Sequence, residues 1–129
     1  MSNKNIVITG RVIEGEGLGH KMGYPTANLT PRLISDLDLN PGIYAAWGRI
    51  ADGQPVPAVV IVGARHKFIS TMIKLEIYFI DFNQDILGKE ISAEIVKKIR
   101  PMQDFKNLPG LIKRIELDIA ETKKILNNS

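Results

Sequence analysis

The 129-residue chain contains no cysteine, which excludes a disulfide framework, a thiolate zinc site and a cysteine nucleophile together. Its two histidines, His20 and His66, are too few and too isolated for a zinc site or a Ser-His-Asp triad. No apolar run approaches the roughly 20 residues that span a bilayer, and Met1–Gly10 lacks the cleavage pattern of a signal peptide. The expectation is a cytoplasmic protein with no membrane partner. Aromatic residues number eight, four Phe, three Tyr and one Trp, few for a surface that stacks single-stranded bases. Repeats, low-complexity tracts and linkers are also missing.

What remains is the balance of one ordinary folded domain spanning 1–129, with 44% hydrophobic and 24% charged residues. The net charge of +3 suits an anionic partner without choosing among nucleotide, nucleic acid and acidic surface. The densest basic cluster, Lys97-Lys98-Ile99-Arg100, reads as a solvated strand edge, so no nucleic-acid partner is expected.

Ile6–Ile13 is rich in β-branched residues and stops at the glycine-dense Gly15-Glu16-Gly17-Leu18-Gly19. Pro25 excludes a central strand or helix interior at that point. Residues 30–41, with Pro31, Asp36, Asp38, Asn40 and Pro41, have the composition of a long surface loop. Gly42–Ile50 and Val56–Val62 are strand candidates joined by an Asp52-Gly53 hairpin signal. Ile73–Phe82 alternates, with Leu75, Ile77 and Phe79 on one face and Lys74, Glu76 and Tyr78 on the other. Glu90–Ile99 alternates again through Ile91, Ala93 and Ile95. The period then changes, because Leu108, Leu111, Ile112, Ile115, Ile119 and Leu126 form one helical stripe behind Asn107 as a candidate N-cap. Five or six antiparallel strands followed by one helix predict a mainly β fold. The expected architecture is a small, closed or nearly closed barrel over about 5–100, with a helix over about 107–127 on one side.

Glycines at 15, 17 and 19 let backbone N–H groups converge as a phosphate cradle requires, and Lys21 adds a point charge. The loop is not a Walker A sequence, since His20 stands where that motif needs glycine, nor a Rossmann fingerprint, since no helix opens after it. A flexible hairpin loop is the alternative. Just downstream, Thr26 and Asn28 project to the same side of an extended chain, two hard oxygens suited to a Mg²⁺ that keeps most of its waters. A capped turn in which both side chains bond backbone is the competing reading. Asp81-x-Asn83-x-Asp85 opens like a calcium loop but has Ile86 and Ser92 where Gly and Glu are needed, which excludes calcium.

The run Gly15-x-Gly17-x-Gly19-x-x-x-Gly23-x-Pro25-Thr26-Ala27-Asn28 resembles the signature of the riboflavin kinase (flavokinase) family, found alone or as the C-terminal half of bifunctional FAD synthetases. The resemblance covers nearly the whole chain, through Pro41-Gly42-Ile43-Tyr44, Leu75–Phe82, Ile99-Arg100-Pro101 with Phe105, and the terminal helix with Asp118. It implies a six-stranded Greek-key barrel that transfers the ATP γ-phosphoryl group to the riboflavin 5′-hydroxyl. FMN is the product, and the protein acts as a monomer on these small molecules. By position, the resemblance implies that Gly15, Gly17, Gly19 and Lys21 hold the nucleotide phosphates, and that Thr26 and Asn28 hold nucleotide and Mg²⁺ or a similar divalent ion. Glu76 matches the catalytic glutamate, Phe79 and Asp81 match nucleotide contacts, and Arg100, Gln103 and Phe105 match flavin contacts. The chain departs from the family pattern at Ile61 (usually Asn), His66 (Pro), Tyr78 (His), Leu87 (Tyr) and Met102 (Glu). Those departures motivate the alternative of a non-catalytic flavin- or nucleotide-binding barrel. A small basic barrel for single-stranded nucleic acid ranks last.

Overall fold

Along Met72–Phe79 every second side chain, Ile73, Leu75, Ile77 and Phe79, is buried, while Lys74, Glu76 and Tyr78 stay half-exposed. This period of two separates a barrel interior from an outer face. The computed structural model describes residues 5–15, 23–65 and 72–128. Six strands, β1 (Val7–Arg11), β2 (Ala27–Leu33), β3 (Gly42–Ile50), β4 (Val56–Arg65), β5 (Met72–Phe79) and β6 (Glu90–Arg100), precede the helix α1 (Leu108–Asn127). They form one antiparallel sheet in the order β1-β6-β3-β4-β5-β2. Its two ends meet where the Ile13 N–H donates to the Asn28 carbonyl at 2.8 Å, so the sheet nearly closes on itself as expected. Ile8, Leu29, Val60, Val62, Ile73, Leu75 and Ile77 fill the interior. No described helix is long and apolar enough to cross a membrane.

Two expectations need correction. Residues 30–33 are strand, not loop, despite Pro31. The β2–β5 register shifts between Leu29 and Arg32, and this irregularity accommodates a residue that has no N–H to give the ladder. The sequence between Ile73 and Phe82 leaves the strand after Phe79, because Asp81 turns left-handed at φ 58°. In the β3–β4 hairpin the turn lies where Asp-Gly signalled it, closed by Gly53 N–H to Ile50 O at 2.9 Å, yet the residue with positive φ is Ala51 at 51° rather than Gly53. A Cβ in that region costs about 1–2 kcal/mol, partly offset by glycine's larger entropy loss. Ala51→Gly is therefore expected to stabilise the fold by about 0.5–1 kcal/mol, read as a rise in Tm of roughly 2–4 °C.

Helix α1 starts as expected, with the Asn107 side chain accepting from the Gly110 N–H at 2.9 Å. Its packing differs from the predicted stripe. Asp118, Thr122 and Leu126 are the buried positions, and Leu108 is 51% exposed. A small outer cluster of Ile43, Val59 and Ile80, joined by Ile61 and Ile119, sits between sheet and helix. The N-terminal half of the stripe is not pressed onto this cluster; Leu111 and Ile115 instead line a cavity.

Candidate active site

Strand register puts Arg100, Ile43, Ile61, Glu76 and Asn28 in one row across β6, β3, β4, β5 and β2. At about 4.8 Å per strand that row runs roughly 19 Å. None of the five residues is close to the next in sequence, so only strand pairing aligns them.

At one end of the row polar groups converge. The Thr26 hydroxyl donates to Glu76 Oε1 at 2.7 Å. Asn28 Nδ2 donates to the Thr26 carbonyl at 3.4 Å. Gly15 lies against the Asn28 amide so closely that a Cβ there would sit 2.7 Å from Asn28 Oδ1 and overlap the rest of the group. The glycine is thus required by close approach, and Gly15, Thr26, Asn28 and Glu76 form one cluster, as expected. Gly17, Gly19 and Lys21, and both histidines, lie outside the described residues.

The middle of the row forms the floor of a cavity of about 390 Å³ between the outer sheet face and α1. Ile43, Val59 and Ile61 form the floor, and Leu111, Ile115 and Ile119 the roof. The segment after β6 closes one end with Met102, Gln103 and Phe105. Tyr24 and Tyr78 form another wall, their rings edge to face with centroids 5.8 Å apart, and the Tyr24 hydroxyl reaches Glu116 Oε2 at 3.4 Å. Burial, chiefly, pushes both phenols above their ordinary pKa, aided by Glu116 for Tyr24 and by Asp81 and then Tyr24 for Tyr78. Both remain neutral hydrogen-bond donors at pH 7.

At the far end Arg100 grips Asp118 of α1, with Nη2–Oδ2 at 2.8 Å and Nε–Oδ1 at 3.0 Å. The two side chains are only 11% and 5% exposed. Arg114 Nε lies 3.2 Å from the same carboxylate, and the Arg100 guanidinium stands 5.8 Å from the Phe105 ring centre. Arg100 is therefore already engaged, and what it offers a ligand is the position of Phe105 and the neighbouring wall.

Phe79 and Asp81 are not brought to this cavity. Phe79 lies three positions after Glu76, an odd offset, so strand parity turns its ring inward, where it is 4% exposed and packed against Gly48. Asp81 lies in the turn after β5, 82% exposed and 3.4 Å from Lys123. Of the departures from the family pattern, Ile61, Tyr78 and Met102 line the cavity. Leu87 sits on an exposed turn, its N–H bound to Asp85 Oδ1 at 3.0 Å.

Sequence reasoning missed Tyr24 and the apolar bed. It also saw Asp118 only as part of the helix, although an acid at the centre of an apolar stripe is a signal that a buried cation waits opposite. Among the described residues no three His, Cys, Asp or Glu side chains gather as a metal cluster. The Thr26 hydroxyl, the Asn28 amide oxygen and the Glu76 carboxylate are hard oxygen donors with little combined charge. Such a set fits a divalent ion that arrives with phosphate oxygens and waters rather than one held by protein alone.

The Flavokinase family profile, described as riboflavin kinase, matches residues 2–126. Human riboflavin kinase is 34% identical over 121 residues, covering 91% of this chain and 78% of that protein. The bifunctional riboflavin kinase/FMN adenylyltransferase of Haemophilus influenzae is 35% identical over 121 residues, covering 94% of this chain but 39% of that longer protein. The crystal structure of riboflavin kinase from Trypanosoma brucei superposes with a TM-score of 0.74 at 23% identity, over 98% of this chain and 83% of that one, a likeness of fold.

Proposed function

The chain belongs to the riboflavin kinase family, and from that premise we propose that it converts riboflavin to FMN at the Glu76 end of the cavity, with ATP as phosphoryl donor. The observation that carries this reading is the cross-sheet row. An apolar bed wide enough for a flat heterocycle leads directly to a carboxylate beside a cluster suited to phosphate. From Arg100 to Glu76 the row covers three strand spacings, about 14 Å, the scale of three fused rings with an extended five-carbon tail.

The isoalloxazine lies between Ile43 and Val59 below and Leu111, Ile115 and Ile119 above, with Phe105 and Gln103 at its far edge, and its tail passes over Ile61. The tail brings its primary alcohol to Glu76. As the alcohol oxygen bonds to the γ-phosphorus and the bond to the β–γ bridging oxygen breaks, Glu76 accepts the alcohol proton and ADP leaves. Thr26 orients the carboxylate through its 2.7 Å hydrogen bond. Thr26 and Asn28 would hold the divalent ion, which supplies neutralisation of phosphate charge. Gly15 lets the Asn28 amide lie flat on the main chain. Positioning and charge neutralisation supply most of the rate in phosphoryl transfer, so a small set of groups suffices.

The test is a product assay with riboflavin, a panel of nucleoside triphosphates and a divalent ion. FMN and ADP are expected in equal amounts, with no product when the ion is chelated. Because the protein's own donors carry so little charge, calorimetry is expected to detect Mg²⁺ uptake only with nucleotide present. Tight FMN binding with no turnover for any donor would instead identify a binding module.

A further inference from the structure

The middle of the cross-sheet row contains no polar side chain. Ile43 and Ile61 are register partners of each other, and Ile61 is the direct cross-strand partner of Glu76. Leu111 and Ile115 face them from the helix. The polar side chains that reach the cavity stand at its margins, with Gln103 and Asp104 at the end beyond Arg100 and Tyr78 on the side wall. Thr26 donates to Glu76, Arg100 and Asp118 bind one another, and Tyr24 reaches Glu116. Tyr78 stands one step away, opposite Val59 rather than Ile61. A ring-bearing polyol lying along the row meets a hydrogen-bonding partner at its terminal carbon and, among the described residues, aliphatic side chains before it.

We infer that Ile61 makes the site indifferent to the internal hydroxyls of the acceptor tail, so that its substrate class is a flat isoalloxazine-type ring bearing a primary alcohol at the right distance. The inference rests on the riboflavin kinase reading and specifies what that site measures in its acceptor. A site that hydrogen-bonds a substrate hydroxyl rejects the analogue lacking it by roughly 10⁴–10⁵-fold, because its own polar groups are left unpaired; an aliphatic wall has nothing to leave unpaired. The ring is selected by the bed and the end wall, the terminal alcohol by Glu76 and Thr26, and the carbons between by length alone.

The experiment compares riboflavin with an isoalloxazine analogue whose tail is an unbranched 5-hydroxypentyl chain. It measures kcat/KM with ATP and Mg²⁺, and Kd by quenching of flavin fluorescence, for the unmodified chain and for Ile61→Asn. For the unmodified chain the two acceptors are expected to differ by less than about 10-fold in both quantities. Ile61→Asn, which offers an amide to the tail, is expected to shift the ratio at least about 10-fold toward riboflavin. Rejection of the analogue by more than about 100-fold overturns the inference while leaving the kinase reading intact. Absence of product from riboflavin itself overturns the kinase reading, and the Kd ratio then decides the inference alone. If Ile61→Asn does not fold, the ratio measured on the unmodified chain is sufficient.

Discussion

Glu76→Gln is expected to lower kcat for FMN formation by about 10²–10⁴-fold while changing the KM for riboflavin less than about threefold, the range in which a positioned general base contributes. The substitution keeps the shape of the side chain, and the amide oxygen can still accept the Thr26 hydroxyl now 2.7 Å from Oε1. What it removes is the ability to take the alcohol proton as the new P–O bond forms. Glu76 lies on the outer, half-exposed face of β5, so the fold has little stake in its charge and Tm should move by no more than a degree or two. Steady-state kinetics together with a melting curve separate the outcomes. A variant that keeps near-full kcat shows that the carboxylate is not the base, and one that loses activity together with many degrees of Tm shows that it is structural.

Asp118→Ala should be the most damaging single substitution to stability outside the barrel interior. It removes the carboxylate that neutralises Arg100 and faces Arg114, leaving two guanidiniums close together with one of them nearly sealed from water. Removing one partner of a buried ion pair typically costs about 3–5 kcal/mol. With side-chain exposures of 11% and 5%, solvent screening discounts that figure little for the Arg100 pair. Thermal unfolding is expected to shift down by roughly 10–20 °C. The same bridge joins the end of β6 to α1, and the cavity wall of Met102, Gln103 and Phe105 begins immediately after Arg100. Riboflavin affinity should therefore fall with stability at temperatures where the variant is still folded. The double variant Arg100→Met with Asp118→Leu tests the cause. If the cost comes from the unpaired charge, the pair of changes costs clearly less than the sum of the single ones. Strict additivity would mean that the two residues contribute independently.

These two expectations illustrate different degrees of legibility in the sequence. The alternation around Glu76 is local, and a carboxylate at an even offset from Tyr78 and an odd offset from Leu75 has its face settled by strand geometry. The same parity shows why Phe79, named as a nucleotide contact from resemblance, points into the barrel. The Pro31 region misled because composition reports the cost of a residue in a ladder and not the bulge that removes the cost. At Ala51 the hairpin signal located the turn, but which residue carries the positive φ depended on how the flanking strands paired. Asp118 was visible in the helix, yet its partner, 18 residues away at the end of a strand, was not.

Period, parity and punctuation along the chain were sufficient to establish five of the six strands, one capped helix and the side of β5 that Glu76 occupies. These are local properties, set by steric preferences and by which side chains avoid water. Only the tertiary structure decided that Arg100, Ile43, Ile61, Glu76 and Asn28 stand in one row, and that the helix leaves a cavity over it rather than sealing it. Register is a relation between strands distant in sequence, and in a nearly closed barrel it is chosen by all six strands together.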